Sequence, residues 1–104
     1  MMHIHWAERA FIRRQAIEDY ILYSFGRKAH REYIKEVNSW KEALRTNPHI
    51  GKIEPLLLNM RKEYRSFVVG EQSKGIYYVE GDCINIVDWW DTRRSIENLK
   101  VGLD

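Results

Sequence analysis

The hydrophobic positions change period along the chain. His3-Ile4-His5-Trp6 alternates with a period of two, placing Ile4 and Trp6 on one face and His3 and His5 on the other, which predicts a short strand. From Ala7 the spacing becomes helical: Ala10, Ile17 and Ile21, with Tyr20 beside them, share one side of a helix reaching about Phe25, interrupted by Arg14. Gly26 breaks the pattern, and Phe25-Gly26-Arg27 reads as a tight helix–helix turn. Ala29, Tyr33, Val37, Trp40 and Leu44 then recur at intervals of three and four, a second and cleaner helical stripe. Its end is fixed near Thr46-Asn47-Pro48, because proline disfavours helical geometry in the residue before it and lacks an amide donor. Helices joined this closely are expected to run antiparallel.

A connector punctuated by Gly51 and Pro55 follows, with Leu56-Leu57-Leu58 expected to tuck onto the core. Three strand-like runs come next: Tyr64 to Val69, Ile76 to Val79 and Cys83 to Trp90. Glu80-Gly81-Asp82 joins the last two as a hairpin, with glycine where positive φ is wanted. After Arg94, Ser95 to Lys100 is compatible with one loose helical turn or a flexible tail. The predicted order is β-α-α-β-β-β. This is an α+β fold with an N-terminal strand, an antiparallel helical hairpin on one face of the sheet and a three-stranded antiparallel meander. At 104 residues it forms a single domain spanning 1–104.

Composition narrows this picture. The chain is 44% hydrophobic and 31% charged, an ordinary folded composition. The net charge of +2 is too weak to imply a nucleic-acid partner, which needs clustered cations. Its positive excess lies on the helical half, at residues such as Arg27, Lys28, Arg31 and Lys35, where a solvated face is the ordinary explanation. A lone cysteine, Cys83, excludes an internal disulfide and fits a reducing compartment. With no apolar run of spanning length and no signal peptide at the start, a cytoplasmic protein with no membrane association is expected.

Little ready-made chemistry stands out. His3 and His5 share a strand face, but no third ligand is spaced to complete a metal site, so neither metal nor cofactor is expected. There is no glycine-rich phosphate loop and no nucleophile elbow.

Four segments together carry a family likeness. They are Ile4 to Ala10, the spacing of Ala29, Tyr33, Val37, Leu44, Pro48 and Gly51, the arginine-bearing run Tyr64 to Val69, and Ile84 to Arg94 with its terminal Arg93-Arg94 pair. In order and spacing they resemble the RelE/ParE toxin superfamily, over nearly the whole chain. The resemblance implies the toxin of a type II toxin–antitoxin pair, of the plasmid-stabilisation type, with a small antitoxin as partner and growth inhibition as its effect. It leaves two activities open, since RelE-like toxins cleave messenger RNA on the ribosome and ParE-like toxins poison DNA gyrase.

Cleavage by a 2′-hydroxyl needs a proton acceptor, cations for the phosphorane and an acid for the leaving oxygen. Arg65 and Arg93 match arginine positions of the family and suit a phosphate clamp, with Tyr78 as a catalytic candidate beside them and His49 as an alternative. Arg61, Lys62 and Arg94 extend the basic patch, and Trp90 is a candidate contact for a base or a protein target. Strand alternation sends Trp89 and Trp90 to opposite faces, and aromatic residues on strands are more often core. Arg65 is also a candidate partner for Asp88. Asp91 stands where many relatives have histidine, and no tyrosine or histidine follows Tyr78. The missing terminal acid–base group tilts the expectation toward a ParE-like toxin that acts by binding, ahead of an RNA-cleaving one; an inactive relative is the third alternative. None of these readings fixes an oligomeric state.

Overall fold

The computed structural model describes residues 2–71 and 73–92. The elements are β1 (His3–Trp6), a helical segment α1 (Glu8–Thr46), β2 (Lys52–Ile53), a short 3-10 helix (Pro55–Leu57), β3 (Arg65–Val69), β4 (Ser73–Glu80) and β5 (Cys83–Asp91). The strands form one mixed sheet in the order β1-β5-β4-β3-β2. β3, β4 and β5 are antiparallel neighbours, whereas β1 lies parallel to β5, from His3 opposite Cys83 to Trp6 opposite Ile86.

Three expectations are corrected. The tight turn expected at Phe25-Gly26-Arg27 is narrower still: within one 39-residue helical segment Gly26 alone leaves helical geometry, with φ 91° and ψ −178°. A straight helix of that length would extend about 58 Å. The longest dimension of the molecule is 39 Å, so the segment changes direction at Gly26 and consists of two arms. Glycine is needed there because that φ carries a steric cost for residues with a Cβ. Among the described residues the sheet has five strands instead of four, because Lys52–Ile53 in the connector pairs with Arg65 and Ser66 of β3. A two-residue strand with both side chains exposed gives no periodic signal. Of Leu56-Leu57-Leu58, only Leu57 is buried. The tail from Ser95 to Lys100 lies outside the described residues.

Two cores sandwich the sheet. On the helical side, Ala10, Tyr33, Val37 and Leu44 pack on Phe67, Val69, Tyr77, Ile84, Ile86 and Trp89. The opposite face is covered by the connector, with Leu57 and Tyr64 against Ile76 and Trp90. Trp89 and Trp90 therefore do face opposite ways, and both are buried. Gly75 is the closest approach in the first core: a Cβ there would fall 2.4 Å from the Phe67 ring.

The register slips by one residue between β4 and β5, with Ile76 opposite Asp88 and Tyr77 opposite Ile86, which leaves Val87 as the extra residue of a bulge. Just past it, Asp88 is fully buried and clasped by the first helical arm. Arg9 donates to its Oδ2 at 2.9 Å and Arg13 to both of its oxygens at 2.9 Å. The Trp89 amide donates to Oδ1 at 2.8 Å. Asp88 is thus the partner of Arg9 and Arg13 and not of Arg65.

Candidate functional site

The candidate residues begin with Arg65, the first residue of β3. Directly opposite it on β4 is Tyr77, whose ring belongs to the helical core, so Arg65 projects to the helical side at the end of the sheet. Its guanidinium is already engaged. Nη1 donates to the carbonyls of His49 at 3.1 Å and Gly51 at 2.8 Å, and Nη2 to Glu63 at 2.9 Å. Tyr77 secures the same loop from below: its hydroxyl donates to the Pro48 carbonyl at 2.8 Å and accepts from the Gly51 amide at 2.9 Å. Burial pushes the Tyr77 phenol above its ordinary pKa, keeping it a neutral donor. The proline–glycine turn is therefore held by an arginine and a tyrosine from adjacent strands.

Tyr78 follows Tyr77 and points to the other face, where it packs edge-on against Tyr64 with Lys62 4.5 Å above its ring. Arg65 and Tyr78 meet only at the end of the sheet, around a pocket of about 160 Å³ shared with His49, Lys62, Glu63 and Glu80. The two cations of that pocket face two carboxylates, Lys62 pairing with Glu80 at 3.3 Å and Arg65 with Glu63 at 2.9 Å. Arg61 is exposed in the connector before β3. Trp90 is 5% exposed, in the core beneath the connector, with the Lys74 ammonium 5.5 Å from its ring. Arg93 and Arg94 lie outside the described residues.

Asp91, at the end of β5, is opposite Ser73, which is opposite Val69. That row is four residues along β3 from Arg65, or roughly 13 Å. Asp91 lines a different feature, which the sequence reading did not single out: a groove of about 630 Å³ between the two helical arms and the adjoining ends of β3, β4 and β5. Ile17, Ile21, Phe25, Tyr33 and Val69 make its lining apolar, and Glu32, Glu36, Glu71 and Asp91 supply carboxylates. The only signal in the sequence was the pair Glu32 and Glu36, beside the apolar stripe of the second arm.

The groove wall is held by a chain of hydrogen bonds. Ser73 donates to the Val69 carbonyl, which uses its only proton. Tyr33 accordingly donates to Ser73 Oγ at 2.9 Å and accepts from Trp89 Nε1 at 2.8 Å. Burial raises the Tyr33 pKa, while its hydrogen bonds to Ser73 and Trp89 offset part of that rise. Glu36 reaches across to accept from the Gly70 amide at 3.1 Å, tying the second arm to the β3–β4 turn. These bonds present a preformed concave surface.

Among the described residues, no group of three or more His, Cys, Asp or Glu is placed to hold a metal ion. No helix among them is long and apolar enough to cross a membrane.

Comparison with solved structures identifies the architecture. The chain has the fold of a chain in the chromosomal ParDE TA system from P. aeruginosa. The two align with a TM-score of 0.67 over 88% of this chain and 96% of that one, at 17% sequence identity. No family model matches the sequence. No curated protein matches it either. The likeness is therefore one of fold, reached through a largely different sequence.

Proposed function

We propose that this protein is the toxin of a type II toxin–antitoxin pair, ParE-like, acting in the cytoplasm by binding a protein target such as DNA gyrase and neutralised by a cognate antitoxin. The observation that carries this reading is the fold shared with nearly the whole of a chain from a ParDE system. The site geometry favours binding over RNA cleavage. A phosphate clamp needs free guanidinium donors, whereas Arg65 spends Nη1 and Nη2 on two carbonyls and Glu63. The cations around the small pocket are neutralised locally by Glu63 and Glu80. A toxin that works by surface contact needs neither a phosphate clamp nor a proton donor. The groove between the helical arms suits the antitoxin: an amphipathic segment with apolar anchors and flanking lysines or arginines matches its lining and its carboxylates.

Induced expression without an antitoxin tests this reading. Growth arrest with DNA damage and intact messenger RNA is the expected outcome. Cuts in translated messages, abolished by Arg65→Ala in a protein that still folds, would replace it with the RelE-like endoribonuclease. That second reading draws its support from the gathering of His49, Lys62, Arg65 and Tyr78 around one pocket. Absence of arrest would overturn both.

A further inference from the structure

The charge on the second helical arm is segregated in a way that the net value of +2 conceals. Arg27, Lys28, Arg31 and Lys35 are all exposed. At about 100° per residue they fall within an arc of roughly 100°, along about 12 Å of helix. Asn38 continues this outer face, and Glu42 at its far end already accepts from Arg45. The carboxylates of the same stretch, Glu32 and Glu36, line the groove on the other side. Elsewhere arginines are paired: Arg9 and Arg13 with Asp88, Arg14 with Glu18, Arg45 with Glu42 and Arg65 with Glu63. Among the described residues, no ion pair takes in Arg27, Lys28, Arg31 or Lys35. The helix gains nothing from them either. Arg27 and Lys28 open the arm just after Gly26, where the helix dipole favours anions. Arg27, Arg31 and Lys35 recur every four residues, so like charges stand one above another. Two local rules broken on one surface point to function and not to folding.

We infer that this stripe is a docking surface for duplex DNA, held through its phosphates and without reading of the bases. Phosphate is the anion it fits: an arginine fork engages two oxygens at once, and clustered cations release the counterions condensed on a duplex. Between Arg27 and Asn38 the arc holds no apolar residue. A protein partner needs an apolar core to its interface, and a membrane needs apolar side chains to insert. The arc also lacks an aromatic ring on which an unpaired base would stack. That leaves a duplex, and the helix selects its form. The B-form major groove, about 12 Å wide, admits an α-helix, whereas the A-form major groove of RNA is too narrow for one. Four cations make only a small electrostatic footprint. Binding is therefore expected to be sequence-independent, in the range of ~10 µM at low salt.

Fluorescence anisotropy of a labelled DNA duplex of about 20 base pairs, titrated with the whole chain at roughly 25 to 200 mM salt, tests this. The logarithm of the association constant should fall with the logarithm of salt at a slope between about −3 and −4. Arg31→Gln combined with Lys35→Gln should flatten the slope to about −2 and weaken binding by roughly tenfold or more at the lowest salt. Arg31→Lys keeps the charge and should keep the slope. Lys52→Gln, a loss of one cation on the sheet edge, should leave both values unchanged. All three positions are exposed, and circular dichroism confirms that each variant folds. No binding at the lowest salt overturns the inference, as does equal weakening by Lys52→Gln and Arg31→Gln. Preference for an RNA duplex or for phosphatidylglycerol vesicles would assign the stripe to those surfaces and overturn it too. The measurement needs neither antitoxin nor toxin target, so its failure is distinct from a failure of the proposed function.

Discussion

Asp88→Asn is the most informative single change for the fold, because it removes one charge and almost no volume. The carboxylate is fully buried and accepts three short contacts from Arg9 and Arg13, which are themselves about a quarter exposed at 26% and 25%. Asparagine can still accept the Trp89 amide, but its amide nitrogen turns a donor toward a guanidinium. Removing one partner of a buried ion pair costs about 3–5 kcal/mol. Here the two guanidinium groups retain some water, which reduces the penalty to about 2–3 kcal/mol. In a domain of this size that lowers the melting temperature by roughly 10–20 °C. Urea unfolding followed by tryptophan fluorescence measures the loss. A cycle with Arg13→Met isolates the pairing itself: Arg13→Met should cost less in the Asp88→Asn background, with a coupling of about 1–3 kcal/mol. A loss under about 0.5 kcal/mol for Asp88→Asn, or strict additivity in the cycle, would refute the clasp as a stabilising element.

Further outcomes follow from other sites. Burial raises the Glu54 pKa, but hydrogen bonds from Lys74, the Leu56 amide and Ser66, with the Lys74 charge, outweigh it and hold the carboxyl below its ordinary value. A group with a depressed folded-state pKa stabilises the protein above its unfolded pKa, about 4.3, and that contribution is lost as the pH falls through the folded value. Glu54→Gln should therefore lower stability at pH 7 and flatten its decline on acidification, as read by denaturant midpoints across pH 3–7. Gly26→Ala meets no atom within 4 Å, so its cost is purely conformational, about 1–3 kcal/mol for a non-glycine residue at that φ, and thermal unfolding measures it. Gly75→Ala, in contrast, drives a methyl group into the Phe67 ring and should be at least as destabilising by the same assay, through overpacking of about 1–3 kcal/mol or more. In the groove, Glu32→Lys should weaken capture of a basic antitoxin segment by roughly tenfold in a binding titration while leaving the melting temperature nearly unchanged.

The parts of the fold legible in the sequence were those governed by local periodicity. The stripe from Ala29 to Leu44 is a helix whose Tyr33, Val37 and Leu44 are buried, and it ends at Thr46 ahead of Pro48 as the proline requires. The three later strands sit where alternation placed them, with Ser73 to Gly75 added to β4 because its ladder continues past the apolar run. What stayed hidden depends on contacts between distant residues. Nothing near Ile4 announces a parallel partner at Ile84. The slip at Val87 cannot be read from one strand, and Asp88 looks like an ordinary polar position until Arg9 and Arg13 arrive from the helix. For the candidate site, the sequence identified Arg65 and Tyr78 but not their opposite orientations, which follow from the pairing of Arg65 with Tyr77. The acidic groove was missed because its carboxylates come from the second arm, the β3–β4 turn and the end of β5.

The parallel pairing of β1 with β5 also bears on when the molecule becomes a protein. Among the described residues the first strand docks on the last, and β5 supplies Ile84, Ile86 and Trp89 to the helical core. The Asp88 clasp closes a loop of comparable length, from residue 9 to residue 88. While the chain is being synthesised, the helical arms therefore have no finished surface to pack on until β5 has left the ribosome. Such long-range closure makes folding a late event and not a progressive one. A product cut short before β5 lacks both the clasp and a third of the core aromatics' setting, so prematurely terminated chains should be unfolded and inert, ready for proteolysis.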